Sequence, residues 1–510
     1  MSDNSFNNKK IAKNSLFLYI DLIASSVLWL IASRILLQAL GESDFGLYNV
    51  VGGIVVLLNI INASMVTTTY RYIAVEIGQN DGNPRNAFNA SLLIHILFAV
   101  LTLIIGIPLG HYYIEHYVNL GNASLEDAIF VYNVSITTCA LNTISIPFIG
   151  LVASYERFFF KTSFNILRNA LRLLLIIALT YVDGDKLRVY AIFALIPDAV
   201  MVCCFVVFCM RNYYGVIRFR LVRDMKRYLG MFSFAFWLMV NALANVGRVQ
   251  GAALLINFFF GTVVNAAYAI AHTVNGFINS ATTNLAQAGA PQVTKSYSSG
   301  DLQRSLDIVK HVSKYSYIMM LTVCVPIFMQ TDFILNLWLA DVPAYTAIFV
   351  KLVIVDALLT SLGAGLSTLY EASGKVAIFK ILLSIILLSS VLLGYTAFRL
   401  GYPPYSILIC YCVMTLVDRI VTVILLKYKL KIPVRELISF SYMNSLLLTI
   451  LIAPLYWLNM LATTDLQRFL MIILTELVLL CLVYFVGLKK YEQQKVSTSL
   501  KALIKKLKII

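Results

Sequence analysis

The chain has 510 residues, of which 60% are hydrophobic and 13% are charged, and its formal net charge is +15. Soluble domains carry about 25% charged and 45–50% apolar residues, so this composition excludes an ordinary soluble domain. Apolar stretches of about 20 residues recur from end to end, which is the length of a helix that crosses a hydrocarbon core of about 30 Å. We therefore predict an all-α, polytopic membrane protein.

Apolar runs between polar breaks predict about fourteen transmembrane helices. Several of them exceed the minimal span, so tilted or kinked helices are expected. In chain order, the predicted spans are 15–40, 47–70, 87–110, 125–153, 159–182, 187–210, 228–259, 263–292, 306–335, 345–371, 376–400, 405–426, 437–460 and 469–488.

The distribution of basic residues supports this count and orients the chain. With the amino terminus in the cytoplasm, 30 of the 40 Lys and Arg fall on cytoplasmic segments and 4 on outer segments. Such an excess is the positive-inside asymmetry of membrane proteins. Both termini are therefore predicted to be cytoplasmic. The net charge is attributed to topology and to contact with anionic lipid rather than to nucleic acid.

An internal repeat divides the predicted helices into two bundles. At an offset of 220 residues, Gly41 matches Gly261, Tyr48 matches Tyr268, Asn59 matches Asn279 and Asp81 matches Asp301. Two parallel six-helix bundles, pseudo-symmetric about an axis along the membrane normal, are typical of transporters with a central site. We predict an N-terminal bundle at 1–222, a C-terminal bundle at 223–432 and two additional helices at 433–490.

The last segment, 491–510, is rich in lysine. Leu500, Leu503 and Leu507 recur at helical spacing opposite Lys501 and Lys505. This pattern predicts a basic amphipathic helix on the inner leaflet, and a frayed basic tail is the alternative.

Apart from basic residues near span ends, which are counted with the adjoining loops, six basic residues fall inside predicted spans, where charges are rare and usually face an internal cavity. They are Arg34, Arg168, Arg172, Arg248, Lys351 and Arg419. Arg168 and Arg172 are one helical turn apart and share a face. Together with Arg34 and Arg248 they are candidates to line a cationic lumen, because guanidinium binds phosphate groups through paired hydrogen bonds. Snorkelling to the interface is the alternative for Arg34, Arg168 and Lys351.

The second and eighth spans are unusually polar. Candidate residues for a hydrated cavity wall are Asn59, Asn62, Asn275, Asn279 and Asn284. Hydrogen bonding between packed helices is the alternative role for these amides.

Acidic groups within spans are candidates for coupling to protons or sodium. We single out Asp21 and Asp356, because a carboxylate in a low-dielectric medium has a tunable pKa. Ion pairing with the buried arginines is the alternative. No metal-binding, nucleotide-binding or nucleophile motif stands out. We therefore expect a protein that is not an enzyme and that has no cofactor apart from possible coupling to H+ or Na+.

The order of the elements and one local motif resemble a known family. Arg34 in the first span is followed by Leu40-Gly41, Phe45-Gly46 and Tyr48. In these features the chain resembles the polysaccharide (Wzx-type) flippases of the multidrug/oligosaccharidyl-lipid/polysaccharide (MOP) exporter superfamily. The resemblance implies a bacterial inner-membrane protein with two bundles around a cavity.

It also implies alternating access and an undecaprenyl-pyrophosphate-linked oligosaccharide as the substrate. The product would serve O-antigen, capsule or a related surface polysaccharide. Membrane lipids and other polysaccharide-assembly proteins are the implied partners.

Two rival functions are considered beside the flippase. A multidrug cation antiporter of the same superfamily would need an acidic, aromatic cavity, whereas buried bases here at least equal buried acids. A membrane glycosyltransferase or polymerase would need a large polar outer loop, and the longest predicted outer loop, 111–124, is short.

Overall fold

The computed structural model describes residues 2–117, 124–339, 342–494 and 497. In the first half of the chain the helices are α1 (Ser2–Gly78), α2 (Pro84–Tyr117), α3 (Leu125–Ser154), α4 (Phe158–Leu179), α5 (Lys186–Asn212), α6 (Tyr214–Ile217) and α7 (Met225–Phe260). They are followed by α8 (Thr262–Ser298), α9 (Leu302–Met329), α10 (Thr331–Trp338), α11 (Thr346–Ser361), α12 (Leu366–Ser373), α13 (Val376–Arg399) and α14 (Ser406–Lys429).

The last part of the chain contains two π-helical segments. α15 (Val434–Leu437) continues through a π-helical segment, Ile438–Tyr442, into α16 (Met443–Ile452), which is followed by α17 (Leu455–Met460). α18 (Asp465–Leu482) ends in a second π-helical segment, Val483–Gly487. The prediction of an all-α membrane protein is confirmed, since all regular structure in the described residues is helical.

Among the residues that the structure describes, eleven helices are long and apolar enough to cross a membrane, or twelve when α11 and α12, bent by 44° from one another, are counted as one span. These helices match twelve of the predicted spans. The second and eighth predicted spans are also helical, as residues 42–78 of α1 and as α8, but they are not among the apolar helices. For α8 the amide and hydroxyl side chains account for that difference, because polar groups lower the mean hydropathy. In the second span the side chains of residues 49–61 lie outside those that the structure describes.

Span boundaries differ where the backbone is interrupted. The predicted span 306–335 is divided, because α9 ends at Met329 and α10 begins at Thr331, after Pro326 and a non-helical Gln330. Proline lacks a backbone N–H and disrupts the helical hydrogen bonds around it.

The chain forms two compact units. Unit 1 comprises 1–243, 287–305 and 371–381, and unit 2 comprises 244–286, 306–370 and 382–510. The predicted boundaries of the two bundles and of the additional helices stay predictions. The predicted amphipathic tail lies, beyond Gln494 and apart from residue 497, outside the described residues.

Unit 1 is built around α3, the span with the largest buried share. α3 packs against α1, α2 and α5, and α4 packs against α1 and α5. The buried core includes Ile136, Leu151 and Phe205. Large apolar residues such as Ile104 are exposed on the outer helices. An apolar exterior is what contact with lipid requires, because lipid tails are as apolar as leucine.

In unit 2, one core cluster joins α7, α8, α9, α11, α13 and α14, with Phe349 and Ile354 at full burial. A second cluster packs α16 and α18 against α9 through Leu321, Leu448 and Leu479. The two C-terminal spans are therefore part of the same compact unit as α9.

The internal repeat has a backbone counterpart. Gly41 interrupts α1 with a φ of 78°, and Gly261 separates α7 from α8 with a φ of 83°. Positive φ favours glycine because it has no Cβ atom. At the same offset of 220 residues, Asp198 of α5 corresponds to Asp418 of α14, and both carboxylates are buried beside arginine. Equivalent breaks and equivalent buried acids support a duplicated architecture.

Candidate functional site

Within unit 1, a buried carboxylate lies between two arginines of α4. Asp198 has a 5% exposed side chain, and its Oδ2 accepts a hydrogen bond from Arg172 Nη2 at 2.9 Å. Arg168 Nη1 lies 3.5 Å from Asp198 Oδ1. The predicted shared face of Arg168 and Arg172 is therefore real, since both side chains reach one acid on the neighbouring helix.

This cluster has an excess of positive charge. Two guanidinium groups contact Asp198, and they are 30% and 28% exposed. Asp21 acts electrostatically on Arg168 and on Lys161, so three cations stand beside two carboxylates. Within the described residues, the Nε–H groups of Arg168 and Arg172 have no acceptor. A buried donor without a partner costs about 1–3 kcal/mol. The arrangement therefore leaves both charge and hydrogen-bonding capacity for an anion.

Asp21 lies in a polar ladder between α1 and α4. Its carboxylate accepts hydrogen bonds from Ser25 Oγ at 3.1 Å and from Asn165 Nδ2 at 2.9 Å. One turn further along, Asn169 Nδ2 donates to Ser25 Oγ at 2.8 Å. Neutral donors thus form the hydrogen bonds to the Asp21 carboxylate, and its role in ion coupling stays a prediction.

In unit 2, Arg248 of α7 forms a buried ion pair with Asp356 of α11. Arg248 Nη2 lies 3.2 Å from Asp356 Oδ1, and the side chains are 9% and 15% exposed. Thr415 Oγ1 donates to the same carboxylate oxygen at 2.5 Å. The Tyr411 ring lies 3.8 Å from the guanidinium carbon, and its hydroxyl donates to the carbonyl of Arg248.

Two candidates that were predicted separately are therefore bonded to each other. Arg248 was expected to meet a pyrophosphate, and Asp356 was expected to couple an ion. Their charges cancel in the pair, which corresponds to the alternative of ion pairing. The positive excess of the candidate site accordingly rests on Arg168 and Arg172.

The remaining basic residues within spans have different surroundings. Arg34 is exposed. Lys351 Nζ is 3.9 Å from Asp332, whose side chain is 73% exposed, as expected for a cation near a helix end. Arg419 contacts its sequence neighbour Asp418 directly.

The amides of the second and eighth predicted spans form hydrogen bonds within their own units. Asn62 accepts from Thr143 of α3 at 3.0 Å, which joins two packed helices. Asn279 donates to Asn275, one turn away on α8, at 2.5 Å. Asn284 is half-buried. The side chain of Asn59 lies outside the described residues, and whether these amides line a cavity stays a prediction.

One charged cluster of unit 1 was missed by the sequence reasoning. Glu156, in the short turn between α3 and α4, has a 1% exposed side chain and accepts from Lys295 Nζ at 2.8 Å. Gln292 Nε2 donates to its other oxygen at 2.7 Å. Glu156 has a φ of 59°, and Gly78 packs against the backbone of Lys295 so closely that a Cβ would overlap it.

A second contact of unit 1, made by Arg71, also joins a segment from the second half of the chain to helices of the first half. Arg71, near the end of α1, donates to the carbonyls of Glu371 at 2.5 Å and of Ala372 at 3.2 Å, in the last turn of α12. Cations are stabilised at helix C-termini by the unpaired carbonyls there. Gly374, with a φ of 75°, leaves room for the guanidinium. In both places a chain segment from the second half joins unit 1 through a basic side chain.

Comparison with known proteins gives the same architecture. No family model matches the chain, and no curated protein matches it. A MOP superfamily transporter from Pyrococcus furiosus, described as having a binding pocket of reverse polarity that suggests a different function, is similar in structure. It superposes with a TM-score of 0.70 and 16% identity over 82% of this chain and 94% of its own.

Two further similar structures are multidrug and toxin extrusion (MATE) proteins. A MATE protein in the straight conformation gives a TM-score of 0.72 with 17% identity, over 82% of this chain and 94% of its own. A multidrug resistance MATE family transporter of the MOP superfamily in the outward-facing conformation gives 0.71 with 16% identity, at the same coverage of both chains. The chain is thus a multi-pass membrane protein with the fold of MATE transporters of the MOP superfamily.

Proposed function

We propose that this protein is an alternating-access transporter whose cargo is an amphiphile with an anionic head group. The observation that carries the proposal is the cluster in unit 1, where Arg168 and Arg172 share the single buried acid Asp198. Two cations beside one carboxylate attract an anion and repel an organic cation. The free Nε–H groups add donors at the geometry that phosphate oxygens accept.

In its finer form the proposal is a flippase in the inner membrane for an undecaprenyl-pyrophosphate-linked oligosaccharide. The pyrophosphate would be bound by Arg168 and Arg172, and the lipid tail would stay in the bilayer. Arg248 would instead hold unit 2 together through Asp356, because its charge is already matched. Surface polysaccharide assembly is the process that such a cargo would serve.

The second candidate is a multidrug exporter for organic cations. The fold comparison favours it, since the similar solved structures include a multidrug resistance MATE transporter. However, one similar structure is itself described as having a pocket of reverse polarity and a suggested different function. Similarity of fold therefore does not decide whether the cargo is an anion or a cation. We choose an anionic cargo because of the positive charge of the site.

Alternating access also needs contacts that open and close. We assign this role to the two basic contacts of unit 1, Glu156 with Lys295 and Arg71 with the last turn of α12. Each fastens a segment from the second half of the chain to helices of the first half. An ion pair and a set of hydrogen bonds from a guanidinium to carbonyl oxygens both suit a reversible closure, because water can replace each partner when the contact separates.

Transport in proteoliposomes tests the proposal. The purified protein is reconstituted with a fluorescent short-chain polyprenyl-pyrophosphate disaccharide, and its movement between leaflets is followed by dithionite quenching. Wild type and Arg468→Gln, which changes a half-buried arginine on α18 paired with the exposed Asp465, are expected to move the lipid. Arg168→Gln/Arg172→Gln is expected to lose at least about 90% of the rate, since each lost charge-assisted hydrogen bond is worth about 1.5–3 kcal/mol.

An organic cation in the same vesicles tests the second candidate. Ethidium transport that is abolished by Asp198→Asn, without any movement of the pyrophosphate lipid, would refute the anionic cargo and support a multidrug exporter.

A further inference from the structure

A cavity of about 450 Å³ opens where α14 turns into α15. Lys427 and Arg435 line it together with apolar residues, among them Ile432, Val434 and Met443. Ile432 and Val434 are buried and form its floor, whereas the two basic side chains are exposed. The site therefore combines a cationic mouth with an apolar wall.

The mouth carries an unbalanced positive charge. Lys427 and Arg435 are the two basic residues that line the mouth, whereas Lys429 and Lys431 do not line it, and Glu436 is the acid beside them. That carboxylate is already paired, because Lys310 Nζ lies 2.8 Å from Glu436 Oε2. An anionic ligand is consequently favoured at this end of the helices.

The helix that leaves the cavity continues its apolar wall. Met443, Leu446, Leu447 and Ile450 are exposed and recur at the spacing of one helical face. The face begins beside the π-helical segment Ile438–Tyr442, which includes two of the lining residues. π-Helical turns widen a helix locally and are common at functional sites.

We propose that this cavity binds an anionic phospholipid of the membrane. The phosphate lies between Lys427 and Arg435, and one acyl chain follows the exposed face of α16. Basic pockets between transmembrane helices bind lipid head groups in this way. A soluble phosphate compound has no use for the apolar face, which is why the geometry favours a lipid. The inference is independent of the transported cargo, because this site lies in unit 2 and shares no residue with the arginine cluster.

Native mass spectrometry of the full-length protein in dodecyl maltoside tests this proposal. Phosphatidylglycerol or phosphatidylcholine is added, and the number of lipid molecules that remain bound is determined. The thermal unfolding midpoint is measured in parallel with each lipid. Wild type is expected to retain phosphatidylglycerol preferentially and to gain thermal stability from it. Lys427→Ala/Arg435→Ala is expected to bind it about 25-fold more weakly, at about fivefold for each cation.

The matched control removes two charges outside the cavity. Lys429→Ala/Lys431→Asn has the same net charge as Lys427→Ala/Arg435→Ala. Asparagine is chosen at residue 431 because it tolerates the positive φ of 54° there. This control is expected to bind like wild type. Equal losses in both double variants would overturn the pocket in favour of a diffuse surface charge.

Two further arms test the lipid itself. Met443→Trp fills the apolar wall without changing the charge and is expected to weaken binding. Stabilisation by glycerol 1-phosphate equal to that by phosphatidylglycerol would overturn the assignment to a lipid.

Discussion

The ion pair between Arg248 and Asp356 gives the sharpest prediction about stability. Both side chains are largely withdrawn from water, at 9% and 15% exposure. Removing one partner of a buried pair leaves the other charge uncompensated, which costs about 3–5 kcal/mol. Thr415 still donates to Asp356 when the arginine is lost, so Arg248→Gln is expected at the lower end of this range. Asp356→Asn leaves the Arg248 guanidinium beside Tyr411, and its cost is expected near the middle of the same range.

A double-mutant cycle measures the coupling directly. Arg248→Gln/Asp356→Asn leaves neither charge buried, so its loss should be smaller than the sum of the single losses by about 1–3 kcal/mol. Unfolding is followed in detergent by intrinsic fluorescence, with sodium or choline chloride at equal ionic strength. Because the guanidinium already compensates the carboxylate, exchange of sodium should leave the midpoint unchanged. The reasoning would be refuted if each single substitution lowered the free energy of unfolding by less than about 1 kcal/mol and the two losses were additive. Stabilisation by sodium that depends on Asp356 would refute it as well.

Three further predictions concern other parts of the chain. Glu156→Gln should lower the free energy of unfolding by about 3 kcal/mol, because it removes the buried carboxylate that pairs with Lys295. Glu126→Gln, at an 82% exposed side chain, should change it by less than about 0.5 kcal/mol, and equal effects of the two substitutions would contradict this. Burial raises the pKa of the Glu492 carboxyl, but hydrogen bonds from Lys314 and Tyr315 outweigh it and the net pKa is lowered. The stability difference between wild type and Glu492→Gln should therefore be full at pH 7 and should shrink only as the pH falls below the ordinary 4.5; a difference that grows on acidification would be inconsistent with the pair. Gly41→Ala should cost about 1 kcal/mol in thermal unfolding, because its φ is 78°, whereas Gly276→Ala, in open space within α8, should stabilise the helix by a similar amount.

The helices could be predicted from the sequence because each depends on a local property. Twelve predicted spans recur as apolar helices, and the two polar ones are helical as well. The repeat was visible in Gly41 and Gly261 because a positive φ restricts the residue type. The shared face of Arg168 and Arg172 followed from helical periodicity alone.

Partners across the chain could not be predicted in the same way. Asp356 lies 108 residues from Arg248, and no local pattern indicates which basic side chain it meets. Glu156 falls in the short gap between the predicted spans 125–153 and 159–182, and only the fold brings Lys295 to it across 139 residues. An acid in so short a gap was the one available signal. Long-range ion pairs depend on the packing of helices, which a single sequence does not specify.

Binding to the purified protein tests the central claim, an anionic cargo at Arg168 and Arg172, most directly. Geranyl pyrophosphate and tetraphenylphosphonium serve as an anionic and a cationic amphiphile in isothermal titration calorimetry. The account predicts that wild type binds the pyrophosphate, that Arg172→Gln binds it at least about tenfold more weakly, and that Arg468→Gln is unaffected. Binding of tetraphenylphosphonium that is lost in Asp198→Asn, with no binding of the pyrophosphate, would contradict it.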